Sequence, residues 1–260
     1  MGGRPVRMAL FSGLVLLVTT VLVPVAVAAP KCFGATATRV GTPGSDKIRG
    51  TRGPDVINGQ GGADIIIGRG GNDRICGGRG NDKIMAGRGK DRVFGGGKRD
   101  RIEGNLGRDV LKGGHGRDFI MGNQGSDRLT SNAGDDTIRG GAGVRDIAIF
   151  AGRGPVRADL RAGVAETPTG TDRVNGVEGI VGSRAGDLLF GDGANNVFRG
   201  RLGLDTLRGR GGEDKIFGEA ADDQLFGNDG DDLLDGGGGR DLLDGGPGAD
   251  DCRRGQATNC

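Results

Sequence analysis

Asp64–Asp82 reads DIIIGRGGNDRICGGRGND, and the same unit of nine residues occurs in it twice. Asp64, Asp73 and Asp82 each have a glycine two residues before and an isoleucine two residues after. Outward from this stretch the interval of nine holds through Asp46, Asp55, Asp64, Asp73, Asp82, Asp91, Asp100, Asp109, Asp118, Asp127 and Asp136. After a break it resumes at Asp187, passes through Asn196, and continues at Asp205, Asp214, Asp223, Asp232, Asp241 and Asp250. An apolar residue follows each at the second position, from Ile48 to Ile138 and from Leu189 to Leu243, with Cys252 closing the series. Chance does not produce this pattern; it is the mark of a repeat architecture.

The unit dictates its own conformation. Six residues of the form G-x-x-G-x-D make a turn, because glycine tolerates positive φ. The next three form a short strand whose central side chain alone faces inward. Two turns and two strands close a coil of eighteen residues, and coils stack at the strand spacing of about 4.8 Å. The inward column of Ile and Leu is a narrow core, thin against the entropy of ordering nine residues for each side chain buried. Stacking also lines the aspartates up in a column on each side. Something must neutralise them, and a hard cation with oxygen ligands is the natural choice.

Composition agrees. The chain has 260 residues, of which 59 are glycine, with no Trp or Tyr and nine Phe. That leaves little for an ordinary globular core, and the three-residue glycine period of collagen is absent. Arg4 and Arg7 precede the apolar run Met8–Val27, and Ala26-Val27-Ala28 follows as a small-residue cleavage site. This is the layout of a secretory signal peptide with a mature start at Ala29, although a run of that length also suits an uncleaved anchor. Removing Arg4 and Arg7 from 36 basic residues leaves 34 against 34 acidic, so the mature chain is neutral. Cys32, Cys76, Cys252 and Cys260 in an exported chain read as two disulfides, with three pairings open. Cys252 and Cys260 are close enough to clip the C-terminus, in which case Cys32 ties the N-terminal end to Cys76.

The unit G-G-x-G-x-D-x-(aliphatic)-x, seen in Asp64–Asp82 and again in DLLDGGGGRDLLDGGPGAD from Asp232 to Asp250, resembles the nonapeptide of the haemolysin-type, or RTX, calcium-binding proteins. The resemblance implies an all-β fold, a right-handed parallel β-roll or β-helix solenoid of glycine- and aspartate-rich repeats. It implies Ca²⁺ held between turns two repeats apart on one side of the roll. Asp64 would then work with Asp82, Asp73 with Asp91, Asp214 with Asp232, and Asp232 with Asp250. All the aspartates of both series are candidate metal ligands on this basis. The organisation expected is a signal peptide (1–28), an N-terminal cap (29–40), a first repeat block (41–139), a β-hairpin insert (140–181), a second block (182–253) and a clipped C-terminal cap (254–260). In the insert, Ile147, Ile149, Val156 and Leu160 are expected to supply the apolar face.

The chain departs from that family in three ways. Its N-terminal signal points to general export, whereas such proteins commonly leave by a one-step route with a C-terminal signal. Residues 41–139 carry 18 basic and 13 acidic residues, and residues 182–253 carry 8 and 16. Lys47, Arg74, Lys83, Arg92, Arg101 and Arg128 each follow an aspartate and are expected to project outward, partly paired with carboxylates. The third departure is in the turns, where Ala86, Ser131 and Lys98 stand at glycine positions and Asn196 lacks charge.

The chain has no zinc-protease motif, nucleophile elbow or P-loop, and its single histidine, His115, sits in a turn. Catalysis is not expected. The reading that follows is a secreted, extracellular, monomeric protein that binds calcium ions, folds with them and serves a structural or cell-surface role, with no membrane insertion after signal cleavage. The alternative is an adhesin for an anionic cell-surface polymer, with Asp–Arg pairs and disulfides replacing part of the calcium. The near absence of aromatic stacking groups argues against a specific nucleic-acid partner.

Overall fold

The computed structural model describes residues 30–260 apart from 144, 151 and 153. The signal-peptide reading of residues 1–28 falls outside them. Every regular element among the described residues is a strand. Apart from a small N-terminal hairpin of Lys31–Cys32 and Ala35–Thr36, the strands form two sheets, one of 14 strands and one of 12. Within each repeat block, consecutive strands alternate between the sheets. Within a sheet, neighbours are parallel and eighteen residues apart through both blocks, as in Ile66 opposite Ile84 and Ile75 opposite Val93. The result is a β-solenoid of about 12 turns.

The three-residue strands expected from the unit are found at the ends of the blocks, in Lys47–Arg49, Val56–Asn58, Leu188–Phe190 and Leu242–Asp244, and are longer between them. Ile65–Gly70 and Lys83–Gly89 pair not only at Ile65–Ile67 but again at Arg69 and Gly70. The turn backbone continues the ladder because each turn lies directly on the turn of the next coil, so its amides find parallel partners there. Such close stacking needs glycine at particular places. At Gly80, which has φ of +139°, a Cβ would run into the carbonyl of Gly62 in the preceding coil. Lys98 and Ala221 occupy the same turn position as Gly80 with φ of +73° and +93°. An L side chain in that region is strained. Lys98→Gly and Ala221→Gly are each expected to stabilise the roll by about 1 kcal/mol, read as a rise in Tm; no rise would contradict the strain.

The core is a single file. Ile57, Ile66, Ile75, Ile84, Val93 and Ile102 are fully buried, and so are the equivalent residues on to Leu243. In the repeat blocks a strand typically contributes one inward aliphatic side chain with outward neighbours, as the alternation of the pleat requires.

The insert continues both sheets. Ile147–Phe150 and Gly179–Val181 carry on the 12-stranded sheet with parallel pairing. In the 14-stranded sheet an antiparallel meander of Arg157–Asp159, Val164–Thr167 and Gly170–Asn175 is spliced between Thr137–Gly143 and Leu188–Phe190. Val156 is buried and Leu160 packs partly against the core. Ile147 and Ile149, however, face outward, and Ala148 and Phe150 face in. The alternation I-A-I-F fits either face, and the hydrogen bond from Asp127 to Asp146 decides it by placing Ala148 two residues after a column aspartate.

Both ends are pinned. Cys32 is bonded to Cys76 across 44 residues and Cys252 to Cys260 across 8. The first staples the N-terminal hairpin onto the outer face of the 12-stranded sheet, where Arg92 stacks on Phe33 at 4.6 Å. Loop-closure entropy makes the longer link worth about 4 kcal/mol and the shorter about 2.5 kcal/mol. Cys32→Ser/Cys76→Ser is therefore expected to lower Tm more than Cys252→Ser/Cys260→Ser, and the reverse order would count against this account.

Candidate metal centres

Each aspartate of the repeat sits where a turn enters a strand, and the coil repeat stacks it on its counterpart eighteen residues away. Asp Oδ1 accepts the backbone N–H of the aspartate one coil earlier. Asp64 N–H donates to Asp82 at 2.9 Å, Asp73 to Asp91 at 2.8 Å, Asp100 to Asp118 at 2.8 Å and Asp214 to Asp232 at 2.7 Å. Same-side aspartates two repeats apart are thus adjacent, whereas Asp73 and Asp82 belong to opposite columns.

The second oxygen is different. Oδ2 of every column aspartate from Asp64 to Asp136, of Asp146, and of every one from Asp205 to Asp250 is buried with no hydrogen-bond partner. Beside it lies the glycine five residues earlier and the carbonyl of that glycine's counterpart in the next coil. A Cβ on Gly104 would stand 2.5 Å from Asp109 Oδ2 and 2.8 Å from the Gly122 carbonyl oxygen. Buried carboxylate oxygens without donors are costly. Burial, and for most of them the charge of stacked neighbours, pushes up Asp64 to Asp136, Asp146 and Asp205 to Asp232. Asp100, between Asp82 and Asp118, reaches about 8. Asp109, Asp136, Asp205 and Asp214 reach about 7, and Asp73, Asp82 and Asp223 about 6.

The first coil of each block is built otherwise. Thr42 N–H and Oγ1 donate to Asp46 Oδ2 at 2.6 and 2.9 Å, and Thr51 treats Asp55 Oδ2 in the same way at 2.6 and 2.9 Å. Ser183 N–H donates to Asp187 Oδ2 at 2.6 Å and its hydroxyl to Oδ1 at 2.8 Å. Asp192 N–H donates to Asn196 Oδ1 at 3.0 Å. Four residues before the column position, a short polar residue does for the carboxylate what no group does deeper in the array. Burial raises Asp55, but Thr51 and Arg39 outweigh it and hold its carboxyl below the usual value.

The period of nine missed three column members. Asp127 N–H donates to Asp146 at 2.7 Å, Asp136 N–H to Asp172 at 2.8 Å, and Asp146 N–H to Glu178 at 2.7 Å. Each carries the acid-x-apolar signature, in Asp146-Ile-Ala148, Asp172-Arg-Val174 and Glu178-Gly-Ile180. That signature, read without the spacing, finds them.

The arginines and lysines that follow column aspartates point outward. Among the described residues, Arg101 alone of the six makes an ion pair, with Glu103 at 2.7 Å. The one column carboxylate bridged to an arginine among the described residues is Asp55, by Arg39 at 3.3 Å. Basic side chains therefore do not neutralise the columns. No three His, Cys, Asp or Glu side chains converge on a point among the described residues, so a cation there takes backbone carbonyls beside its carboxylates. Oxygen-only donors of this kind, carboxylate plus carbonyl in a pliable turn, fit Ca²⁺ and its ligand distances of roughly 2.3–2.6 Å. They do not fit a soft metal.

A parallel β-solenoid with two internal carboxylate columns at oxygen-rich turns is a calcium-binding β-roll. The family model of the RTX calcium-binding nonapeptide repeat (4 copies) matches residues 40–75, 67–100, 94–129, 121–144, 175–207, 190–225 and 217–252, and the chain belongs to that family. No curated protein matches the chain.

Proposed function

We propose that this is a secreted, monomeric β-roll whose folding is coupled to Ca²⁺ and whose role is structural or cell-surface-associated rather than catalytic. One observation carries the reading: the unbroken rows of buried Oδ2 atoms without a donor. The residues proposed to hold calcium are Asp64 to Asp136 in the first block and Asp205 to Asp250 in the second, with Asp146 joining them. Asp46, Asp55 and Asp187 are proposed as end positions satisfied by Thr42, Thr51 and Ser183. The proposed organisation is a signal peptide, an N-terminal cap, two repeat blocks that each open on a capped coil, the insert between them and a clipped C-terminal cap. Where Ca²⁺ is low the columns repel and the roll opens; at extracellular Ca²⁺ even weak sites fill, and binding free energy becomes folding free energy.

Calorimetric titration of the mature chain with Ca²⁺, paired with circular dichroism in calcium and in chelator, tests this. The expected result is saturable heat and a cooperative gain of strand signal. Absence of heat, or identical spectra in both conditions, would overturn the calcium reading. The alternative in which Asp–Arg pairs replace calcium has, among the described residues, the single Arg39–Asp55 contact in its favour.

A further inference from the structure

The neutral formal charge of the mature chain hides an uneven surface. Ten of the 13 acidic residues in 41–139 are buried column aspartates, namely Asp55 and every one from Asp64 to Asp136. The remaining three are Asp46, Glu103 and Asp135. Against them stand 18 Lys and Arg, all exposed except the half-buried Arg74. In 182–253 the balance is even: 7 of the 16 acidic residues are buried, which leaves 9 against 8 basic. Once cations neutralise the columns, a ligand meets a strongly cationic first block and a nearly neutral second one.

Four of these cations line one turn edge of the solenoid, where Arg101 is paired with Glu103 and Arg117 with Asp135. A groove of about 510 Å³ follows the turn side of the 14-stranded sheet, over the column of Asp82, Asp100 and Asp118. Residues on both sides of those aspartates line it: Arg99 and Arg117 before, Lys83 and Arg101 after. Lys83 and Arg101 lie side by side on paired strands, one strand spacing of about 4.8 Å apart, and Phe119 takes the next place in that row. Asn81 and Thr137 add amide and hydroxyl groups. The one aromatic ring, Phe119, is already stacked by Arg101 at 4.5 Å and by Arg139 at 5.3 Å, so it is not a free platform for a base.

We propose that this groove docks an extended anionic polysaccharide on the calcium-loaded roll. Charge complementarity along a linear track, hydrogen-bonding groups suited to sugar hydroxyls, and the lack of a base-stacking surface favour a glycan over a nucleic acid. The calcium reading enters only through the neutralised column; the groove residues stand apart from it.

The test compares two variants of equal charge for binding to heparin, used as a sulfated polysaccharide probe, in calcium and at several salt concentrations. One is Lys83→Gln/Arg99→Gln/Arg101→Gln/Arg117→Gln; the other is Arg52→Gln/Arg88→Gln/Lys90→Gln/Arg108→Gln, on the opposite turn row. Circular dichroism confirms that both remain folded. The groove variant is expected to lose about tenfold or more in affinity, with a salt slope shallower by roughly one for each cation removed. The opposite-row variant should lose less than about threefold. Equal losses would mean diffuse polycation binding and would overturn the site. So would a groove variant that binds like the parent, or tighter binding of a single-stranded oligonucleotide than of heparin. A chain that gives no heat with Ca²⁺ would sink the calcium reading while leaving this comparison intact.

Discussion

In chelator, the protein is expected to gain strand structure as pH falls from about 8 to about 5. The cause lies in the columns. Burial, reinforced by repulsion between stacked neighbours, raises Asp100 to about 8, Asp109 and Asp214 to about 7, and Asp73 and Asp223 to about 6, against an ordinary value of 3.8. The folded chain without metal thus binds more protons than the unfolded chain between about pH 4 and pH 8. Linkage then makes its stability fall as pH rises through that window, and makes the stability fully present only below it. Calcium reverses the sign, since it binds the ionised carboxylates and competes with protons for the same oxygens. Stability in calcium should rise with pH over the same range. Two series of thermal melts, one in chelator and one in calcium, read both slopes. A flat or rising curve in chelator would mean that the buried oxygens do not carry the charge cost ascribed to them.

Ile66→Ala is expected to cost about 2–5 kcal/mol, while Ile65→Ala and Ile67→Ala each cost less than about 1 kcal/mol. The three isoleucines are consecutive and chemically identical. Ile66 is fully buried in the single-file core between the two sheets, whereas Ile65 and Ile67 stand half-exposed on the outer face. Removing Ile66 leaves a void that the stacked Ile48 and Ile84 cannot fill, because the parallel ladder holds their strands in register. Denaturant unfolding of the three variants in calcium measures the contrast. Equal costs would mean that the strand does not face the way the column aspartate dictates.

These two predictions differ in how far they could be read in advance. That Ile66 is inward follows from its place two residues after Asp64, and the same rule holds from Ile57 to Leu243. Where the spacing broke, the rule had to be applied without the period. Ile147 and Ile149 were expected inward, but Asp146 sets the register and turns Ala148 and Phe150 to the core. The candidate ligands divide in a similar way. Every aspartate of the series carries the same motif, yet Asp46, Asp55 and Asp187 are satisfied within their own turns and the deeper ones are not. The residues responsible, Thr42, Thr51 and Ser183, are visible in the sequence. What marks them as caps is their position beside a carboxylate, and only the folded turn displays that.

The sequence by itself determined the solenoid, the coil of eighteen residues, the two aspartate columns and the inward file of Ile and Leu. A repeat with one glycine-rich turn and one strand per unit has few ways to bury its apolar residue, and stacking is the one that pairs its backbone. The tertiary structure alone decided which carboxylates lack a partner, how the insert splices an antiparallel meander into the parallel sheet, and how far the turns extend the ladders. It also decided that, of the basic residues expected to face outward beside the first block's aspartates, Arg101 alone among the described residues pairs with a carboxylate. The ladders and the splice depend on contacts eighteen or more residues away, in neighbouring coils, and the capping contacts, four residues apart, form only once the turn has folded. A local motif cannot specify them.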